Sequence, residues 1–364
     1  MSLHDRFRDL ESNGAVYYQG SSLRRVNLDF NDKNQCSAFI TEYFKAGNKG
    51  NAFSFGFNEL FSAKGKHTHT VALYFLGCLL KNLIDENFFQ FLKFNIPDLN
   101  YNFYYTWFLS CLYHDTAACI EESPYQHQPL KFYLGLHNIS YNVYNHRPIF
   151  ALADLFTYSE PLIKNYFDYR IDYCIRVEHG ILGGYLLYDR LRKNYTSAWK
   201  EHLNEYTSDK NGNTELGSYS NFKYKNLHWH IAHLDHFAII ADSIIGHNIW
   251  VNDDVVLYNH YGLDPLIKSP SNRIRIRERP VLFFLSLIDS IEPVKILEKE
   301  PNVLEPVQAL QSIDFQLIGT NRIKITSLSV QHFDSYYSKV KEVEDWLDVK
   351  VGDVDNDTFI ITIN

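Results

Sequence analysis

Leu109-Ser110-Cys111-Leu112-Tyr113-His114-Asp115 is a run of apolar and small residues that ends on an imidazole and a carboxylate. Across 104–120 apolar side chains fall almost all round a helical wheel, so the segment reads as a buried helix. An ionisable group in such a place costs on the order of several kcal/mol unless it is paired or bound to a metal. His114 and Asp115 therefore need partners, and the remaining sequence is read for them.

Upstream, Val71, Leu73, Tyr74, Gly77, Leu80 and Ile84 recur at helical spacing over 67–85, a stretch that opens His67-Thr68-His69-Thr70. Downstream, helices are expected at 149–158, 177–193, 230–250 and 280–291, with Pro280 in a first turn where its missing N–H is not needed. These helices bring His179, His247 and Asp289 into apolar surroundings. Residues 1–60 read as an N-terminal helical and loop extension, with a short helix near 38–45 and a glycine-punctuated loop at 46–50. Asn211-Gly212-Asn213 marks a polar loop within 207–220. Beyond 301 the pattern changes: 315–318, 322–325 and 359–363 read as strands around an amphipathic helix at 333–346. The expected fold is mainly α, a helical domain over 61–300 followed by a small C-terminal α+β appendage over 301–364.

Composition narrows the function classes. The 364-residue chain is 45% hydrophobic and 16% aromatic, enough to bury a core, and its formal net charge is -8. That balance argues against an extended nucleic-acid partner, which calls for a basic face. The five cysteines show no CxxC pair and read as reduced thiols in a cytoplasmic protein. Apolar runs such as 71–80 and 281–288 are too short to span a bilayer, so no membrane partner is expected.

Imidazoles and carboxylates on separate buried helices are the ligand set of a divalent transition metal. Each signal alone is weak, because a single histidine on an apolar helix is more often a hydrogen-bonded core residue. Their order and context carry more. The run ending in His114-Asp115 resembles the apolar helix ending in His-Asp that names the HD superfamily of phosphohydrolases. Lys66-His67-Thr68-His69-Thr70-Val71-Ala72 resembles that family's first ligand motif, a histidine followed by Ser or Thr at a helix start. Glu178-His179-Gly180-Ile181-Leu182-Gly183 is similar to the His-x-x-x-Gly motif of larger members, including cyclic-dinucleotide phosphodiesterases. The stretch from Ala241 to Asn248 looks like the helix that ends in a further histidine, here His247. Leu285-Ser286-Leu287-Ile288-Asp289-Ser290 resembles the closing apolar–Asp–small motif. The resemblance covers residues 62–295.

It implies an HD-domain helical bundle with one or two divalent ions (Mn, Fe, Co, Ni, Zn or Mg), the dinuclear form favoured because His179 and His247 add to the minimal set. It further implies that His67 or His69, His114, Asp115, His179, His247 and Asp289 are ligands, with Asp115 bridging. Between the two first-ligand candidates His69 is preferred, since it places the small Gly77 two turns on. A metal-bound water would attack phosphorus. No GxSxG or HExxH motif points to a different hydrolytic chemistry. Glu178 is a candidate catalytic or orienting carboxylate, its plainer reading being an exposed first-turn residue.

On the substrate side, Arg273, Arg275, Arg277 and Arg279 alternate along the chain. If extended, they would project to one side as a phosphate-holding stripe or as a solvated edge. Lys64 and Lys66 are weaker candidates, and His228, His230, His233 and His236 form a second histidine-rich stretch that reads better as a pocket mouth than as a metal site. The expected substrate is a small phosphorylated molecule of nucleotide type, and a homo-oligomer is compatible with the sequence. Competing expectations are an HD scaffold that binds or senses a nucleotide without turnover, a single-strand nuclease, and a di-iron oxygenase.

Overall fold

The computed structural model describes residues 1–16, 28–46, 66–84, 90, 103–121, 127–147, 156–209, 215–225, 227–297, 305–329 and 332–364. Lys64, the glycine loop at 47–50, most of the helix expected at 149–158 and Asn211-Gly212-Asn213 lie outside the described residues. The first half contributes helices α1 (Leu3–Ser12), α2 (Lys33–Ala46), α3 (His67–Leu80), α4 (Phe103–His114), α5 (Leu130–Leu136) and α6 (Glu160–Asp172). Then come α7 (His179–Ser208), α8 (Ala232–Gly246), α9 (Val255–His260), α10 (Pro280–Ile291), α11 (Pro293–Leu297), α12 (Pro306–Gln311) and α13 (Phe333–Lys341).

Helices α3, α4, α8 and α10 are buried along nearly their whole length because their sequences offer no polar face to water. They pack on one another, and α4 and α8 also pack on α7. Close approach needs small residues. A Cβ at Gly77 would lie 2.1 Å from the Trp107 ring, and that ring's Nε1–H donates to the Tyr74 carbonyl at 3.0 Å.

Helix α7 runs on past the expected end at 193 because Tyr195, Ala198 and His202 keep a buried stripe. That stripe faces a hairpin, β1 (Asn221–Tyr224) with β2 (Leu227–His230), whose Phe222 and Trp229 pack against Tyr195. Helix α4 stops at His114 rather than continuing to 120. The amides of Thr116 and Ala118 turn back onto Tyr113 and Asp115 carbonyls, and a short 3-10 helix, Ala118–Ile120, follows.

The C-terminal region holds a four-stranded antiparallel sheet, β3 (Ile313–Ile318), β4 (Arg322–Ser327), β5 (Val349–Asp355) and β6 (Thr358–Ile363), in the order β3-β4-β6-β5. β4 and β6 alternate buried and half-buried residues, as one-sided burial demands. The expected helix at 333–346 ends at Lys341 and tightens into a 3-10 turn, Glu342–Asp345. Helix α13 packs on α10 and α11, and Tyr336 Oη–H donates to the Ile291 carbonyl at 2.5 Å. Helix α1 rests on α3, α12 and β3, tied by the Arg6 Nε–Asp314 Oδ1 ion pair at 2.5 Å. Cys36, Cys78, Cys111 and Cys174 are free thiols. No described helix is long and apolar enough to cross a membrane.

Candidate metal centre

Four helix ends converge. His69 lies in the first turn of α3, His114 is the last residue of α4 with Asp115 just beyond it, His179 opens α7, and His247 follows the end of α8. Two groups have ligand atoms mutually within 4.8 Å: His69, His114 and Asp115, and Asp115, His179 and His247. All five residues are buried, and Asp115 belongs to both groups.

Each imidazole commits its Nδ1 as a donor. His69 Nδ1–H donates to Glu292 Oε2 at 2.8 Å, and His179 Nδ1–H donates to Glu121 Oε1. His114 and His247 donate to the carbonyls three residues back, Cys111 at 2.7 Å and Ile244 at 2.6 Å. Outer partners of this kind fix ring orientation and leave Nε2 for a ligand. The Nε2 atoms of His69 and His114 stand 3.2 Å apart. With both Nδ1 atoms committed, that separation requires a cation between them, a proton or a metal ion.

The carboxylates tell the same story. Asp115 Oδ1 lies 3.1 Å from His179 Nε2, while Oδ2 lies 3.7 Å from His69 Nε2 and 3.6 Å from His114 Nε2. Asp289 Oδ1 lies 3.2 Å from His69 Nε2 and 3.5 Å from His114 Nε2. Neither Asp115 Oδ2 nor Asp289 Oδ1 accepts a well-directed hydrogen bond, although both are buried. Both oxygens turn toward the paired rings, and Lys66 Nζ stands 3.3 Å from Asp115 Oδ2. The donor set fits a divalent cation of the transition series.

The electrostatics follow from packing. Burial would raise the Asp115 pKa, but His114, His179 and Lys66 hold it well below the usual range. Asp289 is likewise held down against burial, by Lys295 first and then by His114 and His69. Burial would depress His69 and His179, yet Asp289 and Glu292 raise the first to about 9, and Asp115 and Glu121 raise the second to about 10. His247 is pushed down to about 3 by burial and by His114, so it stays a neutral donor.

Local sequence explains the fit. Gly180 is required beside His179, because a Cβ there would meet His247 Cε1 and the Ile244 carbonyl at 2.9 Å. Glu178 is wholly buried, not an exposed first-turn residue. It caps α7 by accepting from the Gly180 amide at 3.2 Å, accepts from Asn248 Nδ2 at 2.7 Å and pairs with Arg170 Nε at 3.0 Å. It thus ties together the two chain segments that carry His179 and His247.

Of the two first-ligand candidates, His69 is in the cluster. His67 is buried one turn edge away, its pKa lowered by burial and by Lys33 of α2, and it belongs to neither group. Lys66 does reach the centre, its Nζ 3.3 Å from Asp115 Oδ2. The arginine stripe does not stay extended. The Glu278 and Arg279 amides fold back onto the Arg275 carbonyl at 3.2 and 3.0 Å, a turn that prepares the Pro280 helix start. Arg273 lies before this turn and Arg277 within it, Arg275 pairs with Glu278 and Asp348, and Arg279 donates to the Phe156 carbonyl. Ile274 and Ile276 are buried between the more exposed Arg273, Arg275 and Arg277, and the turn ends this alternation before Arg279. The second histidine stretch also disperses: His228 is exposed, His233 bonds the His230 carbonyl, and buried His236 faces Thr106 Oγ1 at 2.7 Å.

Sequence reading missed Glu121 and Glu292, whose histidine partners lie far along the chain, and Lys295, which pairs with Asp289 six residues before it. The comparisons add no relative. No protein-family model matches the chain, and no curated protein and no solved structure matches it at a significant level.

Proposed function

We propose that this chain is a metal-dependent phosphohydrolase of the HD type, acting on a phosphate ester of nucleotide class. The observation that carries the reading is the His69–His114 pair, whose Nε2 atoms face each other at 3.2 Å with both Nδ1 atoms committed elsewhere, flanked by buried oxygens of Asp115 and Asp289. The five motifs read from the sequence supply the same residues in the order of that family.

Two groups sharing Asp115 support a dinuclear centre, with one Asp115 oxygen facing each group. Bound ions would supply a hydroxide near neutral pH and neutralise charge on phosphoryl oxygens. The protein's part is to hold ligands. Glu292 and Glu121 orient His69 and His179, carbonyls orient His114 and His247, and Glu178 fixes the last two chain segments. Asp289 completes the His69 and His114 side.

The test is hydrolysis of p-nitrophenyl phosphate, its bis ester and a nucleotide panel by protein reconstituted with Mn2+, Fe2+, Co2+ or Ni2+, with His114→Ala as control. Turnover that needs the metal and disappears in the variant is expected. Metal uptake without turnover of any phosphate ester would replace this reading with a nucleotide-binding scaffold.

A further inference from the structure

The two ligand carboxylates are each approached by a lysine from the solvent side. Lys66 Nζ lies 3.3 Å from Asp115 Oδ2 and Lys295 Nζ lies 2.5 Å from Asp289 Oδ2, with side chains 33% and 30% exposed. The oxygens they choose differ in kind. Asp115 Oδ2 is the oxygen turned toward His69 and His114, so Lys66 competes with an ion for it. Asp289 turns Oδ1 toward those histidines and offers Lys295 the other oxygen, so Lys295 and an ion can be held together.

We infer that the two lysines have opposite roles toward the metal: Lys66 exchanges its carboxylate for a phosphate oxygen of the substrate, and Lys295 is a positioning residue for Asp289. The inference rests on the proposed metal-dependent reading. Its physical basis is that an ammonium group on a four-carbon stem can swing by a few ångströms, and stays strongly attracted to anions as it does so. Once a divalent ion occupies Oδ2, the Lys66 ammonium is repelled from the ligand and is left at the solvent edge of the centre. There a phosphoryl dianion would meet it. Lys295 has no such pressure to leave. Its backbone amide is anchored at 2.9 Å to Glu292 Oε2, the same oxygen that receives His69 Nδ1–H, so its stem is registered to the ligand framework.

The experiment is calorimetric titration of Mn2+ into wild type, Lys66→Met, Lys66→Arg and Lys295→Met, followed by inorganic phosphate into each Mn2+-loaded protein. Lys66→Met should bind Mn2+ about 3- to 30-fold more tightly, because a competing cation is gone, and phosphate at least about 10-fold more weakly. Lys66→Arg should recover most of the phosphate affinity. Lys295→Met should lose about 10- to 100-fold in Mn2+ affinity, as removal of an outer partner does. Lys66→Met with unchanged phosphate affinity, or with weakened Mn2+ binding, would overturn the exchange role. Lys295→Met with unchanged Mn2+ affinity would overturn the positioning role. Wild type that takes up no Mn2+ would overturn the metal reading itself, a failure visible before any variant is compared.

Discussion

Two buried sets of imidazole and carboxylate both draw on helices α7 and α8, and only one of them leaves ring nitrogens facing one another. In the first, His146 spends Nε2 on Asp235 Oδ1 at 2.5 Å and Nδ1 on Tyr188 Oη at 2.8 Å, while Arg192 donates to that hydroxyl at 3.1 Å. Both ring nitrogens and the hydroxyl there have protein partners, so the network pins the 143–147 segment to α7 and α8. In the second, the Nδ1 atoms of His69, His114, His179 and His247 are all spent outward. The Nε2 atoms and the Asp115 and Asp289 oxygens beside them face inward. Burial and residue types are alike in the two sets. What separates a structural network from a binding centre is which ring nitrogen the surroundings consume.

That contrast is broken or sharpened by substitution. Asp115→Ala should lower metal affinity more than about 100-fold, beyond the range seen for outer partners, and should also cost metal-free stability because His179 loses its partner. Asp235→Ala should cost about 3 kcal/mol in urea unfolding by stranding buried His146, with metal stoichiometry kept in the folded protein. Glu292→Gln should weaken metal binding about 10- to 100-fold by loosening His69, measurable by competition with a chelating dye. Metal affinity lost in Asp235→Ala as fully as in Asp115→Ala would erase the distinction.

A smaller effect is expected from pH. His69 and His179 have folded pKa values of about 9 and about 10, above the ordinary value near 6.5. Their contribution to stability is complete below the ordinary value and is lost as pH rises through the folded values. Metal-free protein should therefore melt at lower temperature at pH 9 than at pH 7, and metal should bind more tightly at the higher pH because fewer protons compete. A flat melting profile for metal-free protein would contradict the assigned proton positions. Smallest of all, Arg275→Ala should change stability by no more than about 1 kcal/mol, since its partners Glu278 and Asp348 are at the surface.

The helices that carry ligands were legible because their burial is written in apolar residues on all sides, as in α4 and α10. The ligands were legible because an ionisable residue inside such a helix is conspicuous. His69 could be preferred to His67 through Gly77, whose lack of a side chain is what lets Trp107 close on α3. The outer partners were not legible, because Glu121 and Glu292 resemble any carboxylate at a helix end until tertiary packing brings them to His179 and His69. β5 was missed for a local reason: Gly352, Asp353 in the left-handed region at φ 52, and the register shift before Asp355 disguise a strand as a turn. The β1–β2 hairpin hid behind its histidines, although the alternation of Phe222 and Tyr224 with charged neighbours is a strand signal. The alternation of Arg273, Arg275 and Arg277 with Ile274 and Ile276 is legible in the sequence, but the turn that closes on the Arg275 carbonyl is not.

The central claim is that the inward-facing atoms hold metal. Metal content of purified and reconstituted protein by plasma mass spectrometry, wild type beside Asp115→Ala, tests it most directly. The account predicts about two transition-metal equivalents per wild-type chain, as expected for a two-ion centre, and their loss in the variant. Folded wild type that takes up none of Mn2+, Fe2+, Co2+ or Ni2+ would contradict it.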